Sequence, residues 1–207
     1  MKTKILNMLN MQDAMNRKVN ETWREADFPW YRAIWTECAE MLEHYGWKWW
    51  KHQKPDMQQV KLEIVDIWHF TLSAHLMRGL SLEQTADLIT EDLNQPWDAT
   101  DIRGAIEDLA KDAIETHSAS IPIVSRIMQL TGMEFDDLYR TYIGKNVLNF
   151  FRQDNGYKEG HYQKTWDGRE DNEHLSEILA MLNPESPTFS DEIYQKLAAT
   201  YPAVRPE

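Results

Sequence analysis

Two pairs of acidic side chains have the residue types and the spacing that best suit chemistry. Glu37 and Glu40 are three positions apart, and Glu63 and Asp66 repeat that spacing. On an α-helix such residues project from one face, so each pair presents two carboxylates together. If the two helices pack antiparallel, all four converge, and like charges about 4 Å apart repel by roughly 4 kcal/mol at an effective dielectric of 20. The cluster therefore needs a cation, and ligation by oxygen alone favours Mg²⁺ or Mn²⁺ over Zn²⁺.

The apolar neighbours of these acidic residues favour a metal site over a solvated helix surface. A single acidic pair at this spacing is usually a solvated helix face. Here Ile34 and Met41 flank the first pair, and Ile64 and Ile67 flank the second. Both helices are therefore amphipathic, and some of the carboxylates must lie near buried surface.

A second group of polar residues, in the C-terminal half, suits a polyphosphate. Its candidate donors are Lys145, Asn149, Arg152, Lys158, Tyr162 and Lys164. The first three line one face of a predicted helix, and the others follow in a loop that contains Gly156 and Gly160. Arg offers paired donors to phosphate, Lys a point charge, and Tyr and Asn neutral donors. The alternative is an ordinary charged helix end followed by a polar surface loop.

A third group could contact a nucleobase and its sugar. Gln12 and Asn16 are four positions apart beside the apolar stripe of the first helix, and an amide matches both donors and acceptors of a pyrimidine. A helix cap or an interhelical hydrogen bond is the alternative for these two. Trp49, His69 and Phe70 could stack on a base or sugar, although aromatic residues at helical spacing are often core.

The elements that position these residues are predicted to be helices, because period-2 alternation is nearly absent and Gly and Pro are scarce. The second helix has Pro29 near its first turn and Gly46 past its end, and Ser81 with Gln84 could form a capping box. We predict helices over 2–19, 29–45 and 56–78, an acidic helical segment over 81–120, two helices over 120–150 divided near Gly132, a loop over 153–172, and short helices over 173–182 and 190–200.

Composition narrows the class of protein further. The chain has 207 residues and a formal net charge of −12, which argues against binding a nucleic-acid polymer. Its single cysteine, Cys38, excludes an internal disulfide and fits a reducing compartment. No apolar run approaches the roughly 18 residues of a membrane span, and the N-terminus lacks the pattern of a signal peptide. We therefore expect a soluble, cytoplasmic protein.

Several motifs occur in a fixed order along the chain. They comprise Gln12 and Asn16, residues 30–35 with Glu37 and Glu40, and the segments 46–51, 63–70, 145–152, 154–166 and 170–172. This combination resembles the dimeric all-α dUTP diphosphatases, which are related to the MazG-like nucleotide pyrophosphohydrolases. The resemblance covers about 10–80 and 140–175, and residues 81–140 contain no motif of that family.

The resemblance implies a helical bundle of the all-α NTP pyrophosphohydrolase type with a helical insertion. It implies one domain over 1–207, with a rigid metal-site core over about 1–80 and 140–175 and a mobile helical part over about 81–140. It also implies a homodimer, in a bacterial or phage-infected cell, that hydrolyses dUTP, and usually dUDP, to dUMP and releases pyrophosphate from dUTP. Two or more Mg²⁺ ions, or Mn²⁺ in their place, would be held by the catalytic carboxylates Glu37, Glu40, Glu63 and Asp66.

The resemblance assigns the remaining candidates to the substrate. They are Gln12, Asn16, Trp49, His69, Phe70, Lys145, Asn149, Arg152, Lys158, Tyr162 and Lys164. Residues 81–140 leave room for an added protein partner.

Three other interpretations remain open at this stage. A MazG-type enzyme could act on another nucleotide, such as dCTP, with the same metal site. A di-iron carboxylate bundle is suggested by Asp66 and His69, but it wants Glu-x-x-His on two helices, and the nearest second copy is 171–174. A helical regulator could keep the fold without the chemistry, although the intact acidic quartet argues against complete loss of catalysis.

Overall fold

The computed structural model describes residues 1–202 and confirms an all-α fold; the last five residues of the expected 1–207 domain lie outside the described residues. The helices are α1 (Lys2–Val19), α2 (Trp30–Tyr45), α3 (Met57–Leu76), α4 (Leu82–Asp92), α5 (Ile102–Thr116), α6 (Ile121–Thr131), α7 (Phe135–Asp154), α8 (Asp171–Met181) and α9 (Phe189–Thr200). A short 3₁₀ helix, Trp23–Glu25, follows α1.

The predicted helix signals lie where the helices begin and end. Pro29 caps α2 and Gly46 ends it with a φ of 89°, which a glycine adopts without strain. Ser81 and Gln84 form the capping box of α4. The acidic segment over 81–120 is divided into two helices, because Asp101 caps a new helix, α5, after a loop.

One feature of the C-terminal half was not predicted. Residues 153–172 were expected to be a loop, but Thr165–Trp166 (β1) and Arg169–Glu170 (β2) pair as a two-stranded antiparallel hairpin. Asp167 and Gly168 connect the strands with φ values of 50° and 74°. An Asp-Gly pair with two positive φ angles is the preferred two-residue turn of a hairpin, so the signal was present in the sequence.

The pairing of α2 with α3 brings the acidic residues together. Asp56 N donates to His44 O at 2.9 Å, so α3 begins beside the end of α2. The two helices then pack extensively against each other, burying Ile34, Met41 and Ile64. Two consecutive helices joined by a short loop thus carry both acidic pairs.

The other side of the site is built by α1, α7 and α8. Helix α7 packs against α1, α3 and α8. A Cβ atom at Gly144 of α7 would lie 2.8 Å from Leu179 Cδ1 of α8, so these helices approach more closely than a larger residue would allow. Helices α4–α6 pack on α1, α2 and α3, and the mobility expected over 81–140 stays a prediction. Within residues 1–202, every helix is too short or too polar to cross a membrane.

Candidate active site

The acidic cluster forms where α2 faces α3. One carboxylate oxygen each from Glu37, Glu63 and Asp66 lies within 4.8 Å of the others. Glu63 is buried, Glu37 and Asp66 are half-buried, and Glu40 is exposed beside them, outside this three-oxygen cluster. His44 Nε2 lies 3.4 Å from Glu63 Oε1. The sequence prediction of convergence is therefore confirmed for three of the four acids, while Glu40 borders the cluster.

The cluster carries more negative charge than the chain itself compensates. Burial raises the pKa of Glu37, and the charges on Asp66 and Glu40 raise it further. Burial likewise raises the pKa of Glu63, with the charges on Asp66 and Glu37 as the next causes. A carboxylate whose ionised form is disfavoured by like charges is the electrostatic setting that a cation relieves.

A basic wall from α7 stands opposite the acids. Lys145, although buried, places its Nζ atom 2.8 Å from Asp66 Oδ2 and 3.1 Å from Asn172 Oδ1. Arg152 donates to both oxygens of Asp171, at 2.8 and 2.9 Å, and to Asn149 Oδ1 at 3.1 Å. These two cations are thus held by hydrogen bonds and ion pairs on one face of α7, as their spacing predicts.

Asp171 fixes the basic wall from behind. Its carboxylate has no solvent exposure and also accepts a hydrogen bond from Tyr162 Oη at 3.0 Å. The ion pair raises the pKa of Arg152 despite the opposing effect of burial. Because Asp171 is the first residue of α8, this carboxylate joins the end of α7 to the start of α8.

The acids and the basic wall enclose a charged cavity of about 430 Å³. It is lined by Glu37, Glu40, His44, Gln59, Glu63, Asp66, Lys145, Arg152, Tyr157, Lys164, Glu170 and Asn172. Acidic and basic side chains therefore face the same space, which suits a polyanion bound together with cations.

A second cavity, of about 420 Å³, adjoins the first and is more aromatic. Its lining is Gln12, Met15, Asn16, Val19, Trp23, Phe28, Trp30, Glu37, Asp66, His69, Phe70, Lys145, Asn149, Arg152 and Tyr157. Five residues line both cavities: Glu37, Asp66, Lys145, Arg152 and Tyr157. The two cavities thus lie side by side, with the ends of the acidic cluster and the basic wall at their junction.

Hydrogen bonds order the amides of the aromatic cavity. Gln12 Nε2 donates to Asn16 Oδ1 at 3.0 Å, and Asn16 Nδ2 donates to Ser73 Oγ at 3.0 Å. Gln12 Oε1 lies 2.7 Å from His69 Nδ1 and 3.0 Å from Tyr142 Oη. Burial lowers the pKa of His69 to about 3, so its ring is neutral and has a single N–H. Both amides are therefore held in place by hydrogen bonds to buried residues behind the cavity wall.

Three predicted substrate residues do not line either cavity of this chain. Trp49 is 89% exposed on the loop after α2, where Gln53 accepts hydrogen bonds from the backbone of Trp47 and Lys48. Lys158 turns towards α1 and donates to the carbonyl of Val19. Tyr162 lies behind the basic wall on Asp171, as described above. The other predicted residues, Gln12, Asn16, His69, Phe70, Lys145, Asn149, Arg152 and Lys164, line one or both cavities.

Four of the residues that sequence reasoning missed make contacts that shape this region. Tyr157 lines both cavities, and Asn172 lines the charged one and binds Lys145. Asp171 holds Arg152, and Trp30 forms an aromatic wall with Phe70 at a ring separation of 6.3 Å. Three of these four follow the end of α7 or begin α8, where no periodic pattern indicates which side chains turn inward.

The di-iron interpretation gains no support from these contacts. His69 bonds to Gln12 rather than to the acidic cluster. Residues 171–174 form the start of α8, which begins two residues before its predicted start, and the Nε2 atom of His174 lies 3.0 Å from the carbonyl oxygen of Trp166. Among the described residues, the one group of side chains close enough to hold a metal contains three carboxylates and no histidine.

An all-α fold with an acidic cluster facing a basic wall has the groups that a helical hydrolase of phosphoanhydrides requires. The model of a protein family described as dUTPase matches residues 4–157, which is most of the chain. The chain therefore belongs to the dUTPase family and is a dUTP-hydrolysing enzyme. The match includes residues 81–140, where no family motif was recognised, and stops before Lys164 and Asp171. No curated protein matches the chain.

Proposed function

We propose that this enzyme hydrolyses dUTP to dUMP and pyrophosphate with Mg²⁺ as its metal, and that it also accepts dUDP. The observation that carries the proposal is the junction of the two cavities at Glu37, Asp66, Lys145, Arg152 and Tyr157. A nucleotide has an apolar, hydrogen-bonding end and a polyanionic end. The aromatic cavity suits the apolar, hydrogen-bonding end, and the charged cavity suits the polyanionic end.

The residues that would hold the metal are the three clustered acids, with Glu40 completing the set from the cavity edge. Their donor atoms are all carboxylate oxygens, the ligands that Mg²⁺ and Mn²⁺ prefer. The raised pKa values of Glu37 and Glu63 describe a cluster in need of positive charge, so the residues fit the ion. Bound there, Mg²⁺ would polarise phosphoryl oxygens and lower the pKa of a coordinated water molecule. Two or more ions would balance four carboxylates and a triphosphate better than one.

The basic wall would bind the departing phosphates. Lys145 and Arg152 already have their side chains ordered by Asn172 and Asp171, so little conformational entropy is lost when a phosphate arrives. Lys164 lies at the edge of the same cavity and is half-exposed, which suits the terminal phosphate. Charge that develops on the leaving group is thereby met by fixed donors.

Glu40 is our candidate for the group that accepts the proton of the attacking water. It lines the charged cavity but stands outside the three-oxygen cluster. If Glu40 holds the metal through one oxygen, its other oxygen stays available for a hydrogen bond to the attacking water. Glu37, which belongs to the cluster, is the alternative base.

The aromatic cavity would hold deoxyuridine. Gln12 and Asn16 offer amide groups to the base, and Phe70 and Trp30 offer flat apolar surface to base or sugar. Close packing around the sugar would leave no room for a 2′-hydroxyl group. The assignment of uracil as the base rests on the family membership and not on the volume of the cavity.

We propose a homodimer on the strength of the family resemblance. The exposed Trp49 and Trp50, in a loop with Lys48 and Lys51, leave an aromatic and basic surface that a second copy would cover. Light scattering should then give a mass of twice the 24.5 kDa chain. A protein partner through residues 81–140, and a cytoplasmic setting, remain predictions.

A pyrophosphate-release assay with dUTP, dCTP, dTTP and UTP side by side tests the proposed reaction. We expect Mg²⁺-dependent release that is fastest with dUTP, none in chelator, and phosphate release from dUDP. Equal kcat/KM for dUTP and dCTP would favour the broader MazG-type activity instead. Turnover that is unaffected by chelator would contradict the metal assignment.

A further inference from the structure

A buried network of hydrogen bonds beside the aromatic cavity joins Ser73, Asn16, Gln12, His69 and Tyr142. The donors in this network determine the direction of each of its hydrogen bonds. Ser73 Oγ lies 3.0 Å from the carbonyl oxygen of His69, which can only accept, so the hydroxyl proton of Ser73 is used there. Ser73 Oγ must then accept from Asn16, and Asn16 must present its nitrogen to Ser73. The opposite end of that amide, Asn16 Oδ1, therefore faces Gln12.

The orientation of Asn16 in turn fixes that of the Gln12 amide. Since Asn16 Oδ1 is an acceptor, Gln12 presents Nε2 to it, and Gln12 Oε1 turns towards His69 and Tyr142. Gln12 Oε1 therefore accepts from Nδ1 of the neutral His69 ring, at 2.7 Å, and shares the single hydroxyl proton of Tyr142 with Met8 O, at 3.0 and 2.9 Å. Burial raises the pKa of Tyr142 well above its usual range, so the hydroxyl stays a donor.

This direction leaves a donor for the ligand. Among the described residues, Gln12 Nε2 donates one hydrogen bond, to Asn16, so its second N–H remains for the cavity that Gln12 lines. Gln12 Oε1, in contrast, accepts from two buried groups and is turned away. A pyrimidine with a 4-oxo group offers an acceptor to such an N–H, whereas cytosine offers a 4-amino donor at that position.

We propose that Tyr142 and Ser73 are positioning residues that orient the Gln12 amide, so that the site accepts a 4-oxo pyrimidine and rejects a 4-amino one. The inference rests on the proposed binding of the base at Gln12 and Asn16. Neither residue needs to touch the substrate. Tyr142 is completely buried and stacks on His69 at a ring separation of 4.2 Å, and Ser73 is buried at the far end of the network.

The test compares kcat/KM for dUTP and dCTP in the wild type and in Tyr142→Phe. The substitution keeps the ring that packs on His69 and removes only the hydroxyl, so Gln12 Oε1 loses one of its two donors and the present orientation of the amide is favoured less strongly. We expect the dUTP/dCTP preference to fall about fivefold to tenfold, the size of one lost orienting hydrogen bond, mainly through dUTP. If Tyr142 had a purely structural role, kcat/KM would fall by the same factor for dUTP and for dCTP, and the ratio of the two values would not change.

Two further variants make the test decisive. Tyr139→Phe is the matched control, because its hydroxyl also joins α7 to α1, through Asn7 at 2.8 Å, but outside the aromatic cavity. In Tyr139→Phe the ratio of kcat/KM for dUTP to kcat/KM for dCTP should equal that of the wild type. Ser73→Ala removes the other end of the network with a very small change in volume, and it should reduce the ratio even if Tyr142→Phe folds poorly.

The outcomes separate this inference from the proposed function. A wild type that prefers dUTP, with unchanged ratios in Tyr142→Phe and Ser73→Ala, would overturn the inference and leave the proposed function intact. A wild type without preference for dUTP over dCTP would overturn the proposed specificity, and the inference with it. A reduced ratio in both variants, with Tyr139→Phe unchanged, is the expected result.

Discussion

At the scale of single residues, Asp66 connects the two halves of the site. Its carboxylate belongs to the acidic cluster and also lies 2.8 Å from Lys145 Nζ on the basic wall. One side chain thus contributes charge to the proposed metal position and orders a lysine that is proposed to bind the phosphates. Loss of its charge should disturb both functions together.

We predict that Asp66→Asn lowers kcat by roughly a hundredfold or more, comparable to the loss of one transition-state contact, while the fold persists. The amide keeps the size of the side chain but removes an anionic ligand and the charged partner of Lys145. Steady-state kinetics measures the loss, and circular dichroism checks the fold. Asp136→Asn is the control, since Asp136 also forms a 2.8 Å pair with a lysine, Lys4, but on the exposed surface. Full activity in Asp66→Asn would contradict the assignment.

The residue scale also shows where sequence reasoning succeeds. Glu37, Glu63 and Asp66 were found because helical periodicity converts spacing along the chain into a shared face. Tyr162 was predicted to contact the substrate and Tyr157 was not, although Tyr157 is the one that lines the cavities. Both lie in an irregular segment, where spacing along the chain does not indicate the direction of a side chain. The burial of Asp171 depends on Arg152 and Tyr162, partners 19 and 9 positions away, and local patterns contain no such information.

At the scale of elements, the α7–α8 junction determines the shape of the basic wall. Gly144 lets α8 approach α7 closely, and Asp171 ties the first turn of α8 to Arg152 near the end of α7. The Asp167–Gly168 hairpin lies just before this junction and was missed by the loop prediction, although its turn signal is local. The helices themselves were predictable because their caps and stops are local too.

We predict that Asp171→Asn destabilises the protein by about 3–5 kcal/mol and raises KM for dUTP more than it lowers kcat. The substitution leaves the guanidinium of Arg152, most of which is buried, without its anionic partner and frees it from the cavity wall. Denaturant unfolding and steady-state kinetics measure the two effects. Glu177→Gln, which removes the partner of the exposed Arg169, should change stability by less than about 1 kcal/mol. Equal stability losses in the two variants would rule out a special role for the buried pair.

At the scale of the whole molecule, the acidic cluster links stability to pH and to metal. In the metal-free protein the pKa values of Glu37 and Glu63 are raised, so the folded state binds protons more tightly than the unfolded one. Their stabilising contribution is complete below the ordinary carboxyl value and is lost as the pH rises through the raised values. His69 and His75 have lowered pKa values and act in the opposite direction, but only below their ordinary value of 6.5.

We therefore predict that, in chelator, the free energy of unfolding falls as the pH rises from about 6.5 to about 8. In saturating Mg²⁺ the fall should disappear, because the cation replaces the protons of the acidic cluster. Thermal unfolding at several pH values measures both curves. Glu63→Gln, which is neutral at every pH, should flatten the curve in chelator. The same slope with and without Mg²⁺ would show that the cluster does not hold the ion.

The order of the site along the chain has a consequence for synthesis on the ribosome. The acidic cluster lies on two consecutive helices and is complete once residue 66 has emerged, whereas the basic wall needs Arg152 and Asp171. Contacts between neighbouring helices form early, and distant contacts wait for the rest of the chain. The growing polypeptide therefore has its proposed metal ligands well before it has the side chains that are proposed to hold triphosphate. Cellular magnesium would then act as a folding partner of the nascent chain.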